Sequence, residues 1–213
     1  MTAKLQAGPY ALTDHDEQDT ATLVAEVRAA LEGGVRLVQY RDKRSASERR
    51  EEQARALLDC CRAFAVPLVI NDDVALAAKI HADGVHLGRD DPDPAGARKR
   101  LGSRALIGVS CYNEMERARA AARAGADYLA FGSVFPSATK PEAVHAPLEL
   151  LTRASAELDL PVCAIGGITP ENAPQVVAAG ADLLAVIRAL WDGSPRDNAR
   201  ALQAAFAGAA DGP

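Results

Sequence analysis

Three polar residues alternate with their neighbours along "VQYRDK": Gln39, Arg41 and Lys43 follow an apolar stretch. A β-strand turns successive side chains to opposite faces, so this spacing predicts one amide and two cations pointing the same way. Such a row suits a multiply charged anion. Further reactive or ligating groups stand where other apolar runs end: Asn71, Asp72 and Asp73 after "PLVI", Asp90 and Asp91 after "GVHLG", and Ser110 closing "ALIGVS". Later come Ser137, Ala138, Thr139 and Lys140 in "PSATK", Gly166 and Gly167 opening "GGIT", and Ile187 and Arg188 after "LLAV".

Carboxylates beside cations contradict a simple anion site, and a divalent ion resolves the contradiction. Mg²⁺ takes one or two carboxylates together with phosphate oxygens and water. Asp72 and one of Asp90 or Asp91 are therefore the expected ligands, with Arg41, Lys43 and Lys140 gripping the same polyphosphate. The plain alternative is that "NDD" caps a helix and "RDDPDP" is a solvated turn. "GGIT" predicts a second anion site, because glycine lets the backbone approach closely and the following helix would present its N-terminal amides. Two anion sites imply two phosphorylated small-molecule substrates or one doubly phosphorylated one.

The elements that must gather these groups follow from hydropathy periodicity. Strands are expected at "PYALTD", "VRLVQYRD", "PLVIND", "GVHLG", "ALIGVS", "ADYLAFGSVF", "PVCAIGG" and "ADLLAVI". Between them run helical patterns, including "SASERREEQARALLDCCRAFA" with Ser45 or Ser47 as its cap, "VALAAKI", a helix starting at Asn113, and "TPENAPQVVAAG". "SPRDNARALQAAFA" closes the chain. Eight strand–helix units with no linker or composition shift predict an α/β fold, a single-domain (β/α)8 TIM barrel over residues 1–213. In such a barrel the C-terminal strand ends meet at one mouth, which collects the groups above. "AGADYLA" recurs as "AGADLLA", with "ADGVHL" as a weaker copy, and this assigns Asp83, Asp127 and Asp182 to the opposite end, as stabilising rather than catalytic residues.

The 213 residues carry 24 basic and 29 acidic side chains, a net charge of −5, with no basic stripe, so a nucleic-acid partner is not expected. No run reaches the length of a membrane span and the N-terminus lacks a signal-peptide core, which predicts no membrane partner and a cytoplasmic location. Cys60, Cys61, Cys111 and Cys163 lack the spacing of a zinc or redox pair and are expected to be buried thiols. His86 lies inside an apolar run, and no His or Cys stands out as a nucleophile at the mouth. The sequence leaves open whether the chain forms a homo-oligomer.

"QYRDK", "INDD", "ADGVHLGRDD", "IGVS", "GADYLAFGSVFPSATKP", "AIGGITPEN" and "GADLLAVI" stand in the order and at the separations of the signature segments of the thiamine phosphate synthase family, which the chain resembles over nearly its whole length. The resemblance implies a transferase that joins hydroxymethylpyrimidine diphosphate to hydroxyethylthiazole phosphate, releasing thiamine monophosphate and diphosphate. It implies pyrimidine diphosphate contacts at Gln39, Arg41, Lys43, Asn71, Ser110 and Lys140, with Arg41, Lys43, Ser110 and Lys140 catalytic. Asp72 and Asp91 become the Mg²⁺ ligands. Ser137, Ala138, Thr139, Gly167, Ile187 and Arg188 meet the thiazole phosphate. The chain departs from the family pattern at Ser137, usually Thr, at Arg89, usually Gln, and at Arg188, usually Ser. The Arg188 side chain has two fates, a contact to the thiazole phosphate or an ion pair with a surface acid, and its position at the mouth favours the first.

Two rivals differ in kind. A thiazole tautomerase of the same fold would be expected to carry a His soon after the fifth strand, where this chain has Cys111 and Tyr112. A catalytically silent barrel that only binds a phosphorylated metabolite would have no need of the full set of cations. The loop "FPSATKPEAVHAP", over residues 135–147, has the length and the prolines of a lid.

Overall fold

The computed structural model describes residues 5–13, 18–136 and 142–207. Eight parallel strands close into a barrel in the order β1 to β8, with β8 returning to β1. The first half comprises β1 (Gly8–Leu12), α1 (Thr20–Glu32), β2 (Leu37–Tyr40), α2 (Ser47–Ala63), β3 (Leu68–Asn71), α3 (Val74–Ile80), β4 (Gly84–Leu87) and α4 (Pro94–Leu101). The second comprises β5 (Leu106–Tyr112), α5 (Met115–Arg123), β6 (Tyr128–Gly132), α6 (Leu148–Glu157), β7 (Val162–Ile165), α7 (Ala173–Ala178), β8 (Leu183–Val186), α8 (Arg188–Trp191) and α9 (Pro195–Ala204). No helix among the described residues is long and apolar enough to cross a membrane.

The strands are buried on both faces, as parallel strands under helices must be. Along β2 the side chains of Leu37 and Gln39 point to the barrel axis, while Val38 and Tyr40 meet the helices. The axial cluster joins Tyr10, Leu37, Val69, Leu106, Tyr128, Cys163 and Leu183. The larger outer cluster is built from β-branched and leucine residues of the strands against the alanine-rich helix faces.

The repeated "AD" device anchors the bottom of the barrel. Asp83 accepts from the Leu68 amide at 2.9 Å, Asp127 from the Ile107 amide at 2.7 Å and Asp182 from the Val162 amide at 2.9 Å. Each carboxylate precedes one strand and ties down its predecessor. The residue two positions earlier is left-handed in all three copies: His81 (φ 57°), Gly125 (φ 90°) and Gly180 (φ 101°). His81 thus stands in a glycine position, terminating α3.

Some expected boundaries move. Arg41 and Asp42 lie beyond the end of β2, Asp72 beyond β3, and Gly166 and Gly167 beyond β7, although Asn71 is paired within β3. Neither Ser45 nor Ser47 caps α2: Ala46 holds that position without a side-chain cap, and the Ser45 amide instead donates to Asp42 at 2.9 Å. Asn113 does not open α5 either. Glu114 precedes the helix, and Asn113 instead donates to the His145 carbonyl at 3.1 Å. The hydropathy pattern predicts no helix between β8 and the final helix, yet α8 occupies Arg188–Trp191.

Candidate active site

A cavity of about 840 Å³ opens at the C-terminal strand ends. Its wall includes Gln39, Arg41, Lys43, Asn71 and Ser110 on one side, and Gly166, Gly167, Ile187 and Arg188 on the other. Ser137, Ala138, Thr139 and Lys140 fall outside the described residues, as does the centre of the loop read as a lid. Its flanks are described: Ser133 donates its amide to the Val144 carbonyl and accepts from the Ala146 amide, so the returning segment is stitched to the end of β6.

The row of Gln39, Arg41 and Lys43 is only partly a strand. Gln39 belongs to β2 and is 2% exposed, whereas Arg41 and Lys43 lie past the strand end. Thr13 holds this extension, exchanging backbone and side-chain hydrogen bonds with Gln39 and Arg41. Asp42 then closes a turn by accepting from the Arg44 and Ser45 amides, each at 2.9 Å. All three predicted residues nevertheless reach the same cavity.

The acidic segments divide cleanly. Asp73 is the helix cap of the plain reading, accepting from the Leu76 amide at 2.8 Å and pairing with Arg50. Asp93 similarly caps α4 through the Gly96 amide. That leaves Asp72 and Asp91. Asp72 adopts a left-handed backbone (φ 62°), uncommon for a residue with a side chain, and its carboxylate lies 3.3 Å from Lys43 Nζ. Asp91 accepts from the Gly88 amide at 2.6 Å, while Asp90 is exposed. Desolvation raises the Asp91 pKa, and Asp72, within hydrogen-bonding reach, raises it further against the opposing pull of Lys43 and the Gly88 amide. Two carboxylates held this close repel one another, and a divalent cation between them would relieve that repulsion. The pair lies outside the cavity lining, at its β3–β4 edge, with Lys43 bridging from it to the interior.

At the opposite wall, Gly166 (φ 104°) and Gly167 (φ 62°) bring the backbone after β7 against the end of β6. A side chain at Gly167 would sit 2.5 Å from the Pro136 carbonyl oxygen. α7 begins later than the sequence reading placed it: Asn172 binds the Thr169 amide and the Gly167 carbonyl, and the helix starts at Ala173. The helix whose first residues line the mouth is instead α8, through Arg188 and Ala189. Trp191 secures it by donating to the Leu12 carbonyl at 2.7 Å. The Arg188 guanidinium lies 3.6 Å from Asp192, both being largely exposed.

Two features escaped sequence reading. Arg117 bridges the Ser110 and Gly88 carbonyls at 2.7 and 2.8 Å, joining the ends of β4 and β5, and lies near the Tyr112 ring. His86, which had looked like core, does line the mouth: Nε2 is 2.9 Å from Ser110 Oγ and Nδ1 is 3.0 Å from Tyr128 OH. The thiols are as expected. All four are buried, and burial pushes Cys111 up to about 12, too high for a nucleophile.

Fold and mouth together define a (β/α)8-barrel enzyme with a cationic and carboxylate-bearing corner facing a glycine-lined one. Residues 9–190 match the family model described as thiamine monophosphate synthase, and the chain belongs to that family. It is 57% identical over 201 residues to a thiamine-phosphate synthase of Azoarcus sp. (strain BH72), covering 94% of this chain and 97% of that one. It is 54% identical to a thiamine-phosphate synthase of Aromatoleum aromaticum, covering 91% and 92% respectively. Among solved structures, a thiamine phosphate pyrophosphorylase from Pyrococcus furiosus superposes with a TM-score of 0.85 at 32% identity, covering 96% of this chain and 98% of that chain.

Proposed function

We propose that the enzyme condenses hydroxymethylpyrimidine diphosphate with hydroxyethylthiazole phosphate to form thiamine monophosphate and inorganic diphosphate. The observation that carries this reading is the Asp72–Asp91 pair with Lys43 alongside, at the edge of a cavity that Gln39, Arg41, Asn71 and Ser110 also line. The pyrimidine diphosphate is assigned to this wall and the thiazole phosphate to Gly167, Ile187 and Arg188 opposite. Lys140 and the Ser137–Thr139 segment are assigned by family resemblance alone.

Asp72 and Asp91 would hold Mg²⁺, which when bound supplies positive charge against the leaving diphosphate. Arg41 and Lys43 add to that charge from the protein, and their attraction grows as the bond to the pyrimidine methylene carbon breaks. The C–O electron pair departs with the diphosphate. The thiazole nitrogen then gives its lone pair to the methylene carbon, forming the C–N bond without releasing a proton. No general base is required. Gln39, Asn71 and Ser110 orient the pyrimidine so that the methylene carbon faces the thiazole nitrogen across the cavity. The buried, unreactive thiols and the absence of a His following β5 also favour transfer over tautomerisation.

Mixing both substrates with Mg²⁺ should release diphosphate, and either substrate alone should not. Diphosphate release without the thiazole would indicate a hydrolase. Thiazole isomerisation without diphosphate release would indicate the tautomerase.

A further inference from the structure

The barrel axis contains a run of polar side chains that packing alone does not require. Gln39 Nε2 donates to Tyr10 OH, Tyr10 OH lies 2.9 Å from Tyr128 OH, Tyr128 OH lies 3.0 Å from His86 Nδ1, and His86 Nε2 lies 2.9 Å from Ser110 Oγ. The members come from β2, β1, β6, β4 and β5 in turn. Tyr10 and Tyr128 are 1% and 0% exposed, and His86 is 8% exposed. Gly108 on β5 makes the space for this run, since any side chain there would strike the Tyr128 ring. The two rings of Tyr10 and Tyr128 meet edge to face at 5.9 Å, which fixes both phenols.

Both ends of the run are residues assigned above to the pyrimidine diphosphate. We infer that Tyr10, Tyr128 and His86 are positioning residues forming one polarised hydrogen-bond chain, which couples Gln39 to Ser110 and fixes the Ser110 hydroxyl as a donor to the pyrimidine substrate. The inference rests on the proposed function for the identity of that substrate. Its polarity follows from counting protons. A phenol has one, so Tyr10, accepting from Gln39, donates to Tyr128, and Tyr128 in turn donates to His86 Nδ1. His86 then carries its proton on Nε2 and donates it to Ser110 Oγ. The serine proton is left to face the cavity. Burial raises both phenol pKa values well above the ordinary tyrosine range, so both remain protonated donors. The same polarity excludes a serine nucleophile, because a protonated Nε2 cannot remove the Ser110 proton.

The chain is read directly from the ¹⁵N chemical shifts of the His86 imidazole in the ligand-free protein, which distinguish a protonated Nε2 from a protonated Nδ1. The parent protein should show Nε2–H, and Nδ1–H as the main species would overturn the inference without touching the proposed reaction. Tyr128→Phe keeps the ring and removes the donor to Nδ1. It should shift the tautomer balance and raise the KM for the pyrimidine diphosphate about fivefold or more, with the KM for the thiazole phosphate within about twofold. Tyr10→Phe should act in the same direction. His86→Gln, which offers Ser110 a donor again, should recover part of what His86→Leu loses. An unchanged tautomer in Tyr128→Phe, or equal KM changes for both substrates, would reduce these residues to core packing. Altered tautomer with no diphosphate release from either protein would instead retain the chain and reject the proposed function.

Discussion

At the scale of single residues, the site is organised by how neighbours divide the work. Asp73 and Asp93 are committed to helix amides, which leaves Asp72 and Asp91 facing each other. A folded-state carboxyl pKa raised above its unfolded value means that the folded protein binds that proton more tightly. Stability is therefore lost as pH rises through the raised Asp91 pKa, and the cost is absent below the ordinary aspartate range. Asp91→Asn should accordingly melt at a higher temperature than the parent in chelator at neutral pH, with the difference disappearing in acid, while its turnover falls at least tenfold. Asp90→Asn should stay within about twofold in both respects, as expected of an exposed substitution. A larger loss in Asp90→Asn than in Asp91→Asn would transfer the metal assignment to Asp90. For Arg188, the exposed pair with Asp192 is worth about 0–1 kcal/mol and is easily exchanged for a phosphate contact worth about 1.5–3 kcal/mol. Arg188→Ser should raise the KM for thiazole phosphate several-fold and leave the pyrimidine diphosphate KM unchanged. Equal constants would make Arg188 a bystander. Gln39, Arg41 and Lys43 were legible as a group because their spacing survives past the strand end. Tyr10, Tyr128 and His86 were not: Tyr10 is 118 residues from Tyr128 and His86 is 42 from it, and each sits in an apolar run that reads as core.

At the scale of elements, the alternation of strands and helices was readable from hydropathy, since glycine and alanine-rich helix ends punctuate it. Hydropathy alternation overextends β2 because Arg41 and Lys43 continue the strand's spacing beyond the ladder. α8 escaped notice because a helix from Arg188 to Trp191 is a single turn, too short for periodicity to register. The bottom of the barrel was the better-read end. Asp127 accepts from the Ile107 amide and pairs with Arg98 at 2.6 Å, far from the mouth. Asp127→Ala should destabilise the fold by about 1–3 kcal/mol, measured by denaturant unfolding, by leaving a backbone donor without its partner. Both KM values should be unchanged in the folded variant. A selective KM effect would place Asp127 in communication with the substrates.

At the scale of the whole molecule, closure of the barrel converts dispersed sequence segments into one chamber with two unlike walls. The carboxylates and cations cluster after β2, β3 and β4, and the glycines and the short helix after β7 and β8. In the proposed reaction one wall would hold the charged leaving group while the other presents the nucleophile, and family membership gives the class of reaction for which the chamber is used. The proposed reaction requires Asp72 and Asp91 to bind the diphosphate through a divalent ion. Calorimetric titration of inorganic diphosphate into the protein, with Mg²⁺ and with chelator, tests it most directly. Binding should be at least about tenfold tighter with Mg²⁺, a difference of about 1.4 kcal/mol or more, and Asp72→Asn should lose that difference. Equal affinity with and without Mg²⁺ in the parent protein would contradict it.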